Sequence, residues 1–122
     1  MVIATLVLAA AALLQQPAVT PAPELAVINA RLGECAADFT VKDAAGMPVY
    51  GATVQVRIRY GFMNVKRMDL EVGTNSDGKA RVEGLPAKGK PLAYVIAKGA
   101  TKAAAEQDLA ASCKATYDVS LK

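Results

Sequence analysis

Polar and apolar residues alternate most strictly over residues 52–60, where Val54, Val56, Ile58 and Tyr60 take one face and Thr53, Gln55, Arg57 and Arg59 the other. A period of two is that of a half-buried β-strand. Met68, Leu70 and Val72 repeat it against Arg67, Asp69 and Glu71, and the intervening residues 61–65 suit a long-tipped hairpin. Pairing Ile58 with Met68 sets Val56 opposite Leu70 and Arg57 opposite Asp69, so one face is apolar and the other charge-matched. The same register places Arg59 opposite Arg67, a repulsive pair unless an anion or an acidic neighbour intervenes.

Other segments carry the same period. Cys35, Ala37, Phe39 and Val41 share one face, with Ala36, Asp38, Thr40 and Lys42 on the other. Turn chemistry follows at residues 43–46 and again at Asn75-Ser76-Asp77-Gly78, since Gly accepts positive φ and Asn and Asp tolerate it. Residues 79–83 read as a strand, residues 92–98 as a more fully buried one with Tyr94 and Ile96 inward, and residues 115–121 as the closing strand, its phase shared by Cys113. Between the last two lies the Ala-rich stretch 101–112, containing Glu106, Gln107 and Asp108. There helix propensity competes with a strand-turn-strand reading, and periodicity does not decide between them. The pattern as a whole predicts one all-β domain, a sandwich of about seven strands.

The N-terminal region has a different pattern. Residues 2–14, VIATLVLAAAALL, form an uncharged run of thirteen, and no charge occurs before Glu24. A membrane-spanning helix needs about 20 apolar residues, so the run has the length of a signal-peptide helix. Ala18 is the expected cleavage point, because Pro23 obstructs a cut after Ala22. The basic residue that usually opens a signal peptide is absent, and an uncleaved membrane anchor is the competing reading. Pro17, Pro21 and Pro23 among small residues suit an extended linker. The expected organisation is a signal peptide over 1–18, a Pro/Ala-rich linker over 19–30 and a β-sandwich domain over 31–122.

Composition narrows the chemistry. The 122 residues are 53% hydrophobic but only 5% aromatic, which supports one modest core. The absence of His excludes a Ser-His-Asp triad, a Cys-His dyad and any His-ligated zinc or haem site. The two cysteines, Cys35 and Cys113, both fall in the inward phase of their strands, and in an exported chain of this size they predict one disulfide. A reactive redox pair is less expected, since such pairs usually sit as CxxC.

Two blocks of the domain carry a resemblance. Asp43 to Val54 reads D-x-x-G-x-P-V-x-G-A-x-V, and Thr74 to Gly78 reads T-x-x-D-G, with Gly84-Leu85-Pro86 beyond it. Together they resemble the carboxypeptidase regulatory-like domains, a likeness extending over roughly residues 35–121. It implies a single Ig-like or prealbumin-like (transthyretin-like) Greek-key β-sandwich that is generally non-catalytic and appended to exported proteins. The chain departs from that pattern where residues 87–91 follow Gly-Leu-Pro, and at the long end of the hairpin. A hydrolase of purine catabolism shares the transthyretin-like fold, but its family relies on His and a Tyr-Arg-Gly-Ser-type ending; this chain has no His and ends Asp118-Val119-Ser120-Leu121-Lys122.

Each candidate site has a plainer alternative. Residues 73–78 resemble half a calcium loop, but Gly73 occupies the first ligand position and Gly84 the closing one, so a hairpin turn and no metal site are expected. Asp69 and Glu71 share a strand face at roughly 7 Å spacing, and the facing Arg57 and Arg59 lower a carboxylate pKa, the wrong direction for a general acid. No catalytic residue and no cofactor are expected. A net charge of +3, from 14 basic and 11 acidic residues, is too mild to argue for nucleic acid. The remaining candidate is the hairpin end. Phe62, Met63 and Val65 lie there beside Arg59, Tyr60, Lys66 and Arg67, and they either present a contact surface or fold back to cap the sandwich.

The functional expectation is an extracytoplasmic, periplasmic or secreted, non-enzymatic interaction or structural module of the cell envelope. Its partner would be an envelope protein, a peptide or a glycan, and the expected state is a monomer with no stable membrane span once the signal is cleaved. The alternative is a small-ligand carrier or enzyme on a transthyretin-like scaffold.

Overall fold

The structure is a computed structural model and describes residues 25–122. The expected signal peptide and the first part of the expected linker lie outside the described residues. Eight strands follow in chain order: β1 (Ala26–Asn29), β2 (Cys35–Asp43), β3 (Thr53–Tyr60), β4 (Lys66–Gly73), β5 (Lys79–Leu85), β6 (Leu92–Lys98), β7 (Thr101–Gln107) and β8 (Lys114–Leu121). They form two four-stranded sheets, ordered β1-β5-β2-β8 and β4-β3-β6-β7. Most pairings are antiparallel, whereas β1 pairs with β5 and β2 with β8 in parallel.

The hydrophobic core lies between the sheets. Val54, Val56 and Ile58 of β3, with Tyr94 and Ile96 of β6, face Phe39 and Val41 of β2 and Val82 and Leu85 of β5. Phe39 packs edge-on against Tyr94, centroids 4.8 Å apart, and stacks on Tyr117 at 5.3 Å. With so few aromatic side chains available, three of them meet in one cluster, where ring geometry adds to simple burial.

The expected β3–β4 register is the one observed: Ile58 faces Met68, Val56 faces Leu70 and Arg57 faces Asp69. Two other features correct the sequence reading. The described residues form eight strands where about seven are expected, and one of them, β1, falls inside the segment 19–30 read as linker. Its four residues alternate between half-buried and exposed, with Ala26 and Ile28 packing on the core. A strand this short gives little periodic signal, and the neighbouring prolines mask it.

The undecided stretch 101–112 is a strand followed by a turn. Ala103, Ala105 and Gln107 point inward while Lys102, Ala104 and Glu106 point out. Pairing along all of β6 overrides the helix preference of alanine. The chain then turns at Asp108, whose carbonyl accepts from Ser112 N at 2.7 Å and whose side chain accepts from Ala110 N at 3.1 Å.

The Asn75-to-Gly78 segment is a hairpin turn. Asn75 Oδ1 accepts from the amides of Asp77 and Lys79 at 3.0 and 2.9 Å. Gly78 has φ of +73°, and a Cβ there would collide with the Val41 carbonyl. Both the turn geometry and the close approach of β2 therefore require glycine.

Candidate functional site

The β3–β4 hairpin projects past its own ladder. Its end is built by Gly61 at φ +81°, a short 3-10 turn over Phe62–Asn64, and Met63 and Asn64, both at φ +56°. Asn64 N donates to Gly61 O at 3.1 Å and Val65 N to Phe62 O at 3.3 Å, closing the loop on itself. The aliphatic stem of Lys66 lies beside Gly61. A left-handed conformation is ordinary for Asn but disfavoured for Met, at a cost on the order of 1 kcal/mol.

This conformation turns the apolar side chains outward. Phe62 is 84% exposed, Met63 79% and Val65 73%. The capping alternative is thereby contradicted: none of the three belongs to the core, in which Ile58 and Leu70 are buried without them. Scattered apolar residues on a surface are ordinary, but three large ones grouped on one projecting turn are not.

The charges around the tip are predominantly positive. Arg59 and Arg67 face each other across the ladder, and both are exposed. Asp69 is the acidic neighbour that relieves them. Its carboxylate accepts from Arg57 Nε at 2.7 Å, and this bond holds its pKa below the usual range, with Arg67 and Arg59 adding to the effect. Glu71 Oε1 accepts from Gln55 Nε2 at 3.0 Å. Asp69 and Glu71 are thus engaged in cross-strand pairs with β3.

Two depressions flank the hairpin. An open trough of about 540 Å³ runs over the outer sheet face between the Gln55, Arg57, Asp69 and Glu71 side chains and the flat strip Ala93 and Val95. A second recess of about 230 Å³ brings Arg59 and Asn64 of the hairpin together with Lys88, Lys90 and Pro91 of the β5–β6 loop. Only the fold brings the lysines of that loop beside the hairpin. Among the described residues no three His, Cys, Asp or Glu side chains gather as a metal-binding group.

At the end of β7 lies a feature that sequence reasoning missed. Gln107 is fully buried; its Oε1 accepts from Tyr94 Oη at 2.6 Å, and its Nε2 donates to the carbonyls of Ala36 at 3.1 Å and Ser112 at 2.8 Å. The Cys35–Cys113 disulfide is present beside it, and Ala36 N donates to Cys113 O at 2.8 Å. The amide thus joins β6, β7, the start of β2 and the chain entering β8. The available signal was a polar residue in the inward phase of 103, 105 and 107, hidden by the alanine run.

Burial raises the Tyr94 hydroxyl well above its ordinary value of 10.0, and burial next to Glu106 raises Tyr117. The folded protein therefore holds the Tyr94 proton where the unfolded chain has released it, so stability is full below about pH 10 and falls as pH rises beyond it. In urea titrations the midpoint is expected to decline above about pH 10, and Tyr94→Phe to flatten that decline. An equally steep decline in the variant would assign it to other groups.

No protein-family model matches the chain. No curated protein matches it either. Among solved structures it is similar to catechol 1,2-dioxygenase from Pseudomonas arvilla C-1, with 14% identity and a TM-score of 0.52 over 86% of this chain and 59% of that one. Lower scores are found for catechol 1,2-dioxygenase from Acinetobacter sp. ADP1, at 15% identity and 0.49 over 97% and 67% of the two chains. For 3-chlorocatechol 1,2-dioxygenase from Rhodococcus opacus 1CP the values are 17% and 0.48 over 88% and 69%. The first likeness is one of fold alone, and this chain spans 59% of the length of that enzyme.

Proposed function

We propose that this chain is an exported, non-enzymatic β-sandwich of the prealbumin-like, Ig-like Greek-key class, acting as a monomeric binding module of the cell envelope through the β3–β4 hairpin tip. The observation that carries the reading is the outward presentation of Phe62, Met63 and Val65 on a turn held by positive backbone angles. Conformational cost at a surface loop is a reason to look for a role there. Arg59, Tyr60, Lys66 and Arg67 form the polar rim of that contact. The disulfide supports an oxidising compartment, and the motif resemblance supports an accessory domain. The small-ligand alternative draws on the trough beside Ala93 and Val95.

Retention on an isolated cell-envelope fraction tests the proposal. The Phe62→Ser, Met63→Ser double variant should lose at least about tenfold in retention, since each side chain contributes on the order of 1.5–3 kcal/mol when buried against a partner. Its own unfolding free energy should stay within about 0.5 kcal/mol of the parent for each exposed substitution. A Tyr50→Ser control, altering an exposed residue before the opposite end of β3, should retain normally. Undiminished retention by the double variant would remove the hairpin tip from the account.

A further inference from the structure

Charge is distributed unevenly around the tip. The hairpin over 57–69 and the β5–β6 loop that shares its recess together contain Arg57, Arg59, Lys66, Arg67, Lys88 and Lys90, against Asp69 as the one acid. These are six of the chain's fourteen basic residues and one of its eleven acidic ones, so this region carries +5 and the remainder −2. Arg57 is paired with Asp69, while the other five cations form no ion pair among the described residues.

We propose that the occupant of the tip is an anionic phospholipid bilayer, into whose interface Phe62, Met63 and Val65 insert while the surrounding cations engage the headgroups. The inference rests on the binding-module reading and names the partner for the same site. Its first support is shape. The apolar group is 73–84% exposed at the end of the hairpin and lines neither recess, so a protein partner would have to supply the cavity, whereas a fluid interface needs none. Its second support is charge. A short apolar wedge alone binds a membrane weakly, and basic residues near an anionic surface supply the remaining attraction. The apolar residues and four of the six cations lie on one hairpin, whereas the exposed Tyr50 precedes the opposite end of β3.

The chain contains no tryptophan, so a single introduced one reports on its own surroundings. Phe62→Trp and Tyr50→Trp would be made in the full chain and titrated with vesicles of equal parts phosphatidylglycerol and phosphatidylcholine. Phe62→Trp emission should shift to the blue and become quenchable by a bilayer-embedded quencher, and Tyr50→Trp emission should do neither. In the Phe62→Trp background, Arg59→Gln with Arg67→Gln should weaken binding about 25-fold, roughly fivefold per cation. Raising salt from ~0.1 to ~1 M should weaken it as well, the Debye length falling from about 10 to about 3 Å.

An unshifted Phe62→Trp, an equal shift in Tyr50→Trp, or equal binding to vesicles of phosphatidylcholine alone would each overturn the lipid assignment. The second of these outcomes would place the attachment outside the tip, including in residues 1–24. If vesicles leave Phe62→Trp unchanged while Phe62→Ser, Met63→Ser still abolishes envelope retention, the partner is a protein and the binding module stands. If neither experiment responds to the tip, both proposals fail.

Discussion

Gln107→Leu is expected to destabilise the domain by about 3 kcal/mol or more. Leucine fits the volume but returns none of the hydrogen bonds. Tyr94 Oη loses its acceptor and the Ala36 carbonyl loses a donor, both in buried surroundings, while the Ser112 carbonyl loses one at the edge of the core. Each buried polar group left unpaired costs roughly 1–3 kcal/mol. Urea unfolding followed by circular dichroism gives the value directly. The double variant Tyr94→Phe, Gln107→Leu should cost less than the sum of its parts, because removing both partners leaves fewer orphaned groups than removing one. An additive result would mean that the 2.6 Å contact between them carries no coupling energy.

Loss of the disulfide is the second large effect. Cys35 and Cys113 are 78 residues apart, so their bond closes most of the described domain into one loop. Chain entropy alone assigns about 4 kcal/mol to a loop of this length, with measured values often lower. A domain of about a hundred residues has only about 5–15 kcal/mol in total. Cys35→Ala with Cys113→Ala, or reduction of the native protein, should lower the urea midpoint sharply while the far-ultraviolet spectrum of the sheet persists below it. Mass spectrometry of native protein isolated without reductant should find the two residues linked. Free thiols in native protein would contradict the pairing.

What could be read from the sequence follows from how far each signal reaches. The β3–β4 ladder was legible down to individual partners because a hairpin is local, and its apolar and charged faces agree on a single register. Cys35 and Cys113 were legible as partners because both sat in inward phase and no other cysteine competed. The β7 strand was ambiguous because Ala103, Ala104 and Ala105 are equally suited to either side of a sheet, so alternation leaves no trace in their identities. Whether Phe62 capped the sandwich or left it depended on backbone angles at Gly61, Met63 and Asn64, which a single sequence does not specify. The recess shared with Lys88 and Lys90 depends on β6 pairing beside β3, a contact between distant segments.

The central claim, that the hairpin tip and not the sheet face meets the partner, is tested most directly by photo-crosslinking in living cells. A photoreactive phenylalanine derivative would be placed at Phe62 in one strain and at Val95, in the floor of the trough, in another. Mass spectrometry after illumination should find an envelope-derived lipid or protein adduct on the chain labelled at position 62 and none on the chain labelled at position 95. An adduct at position 95 with none at 62 would contradict the account and move the binding site to the outer face of the sheet.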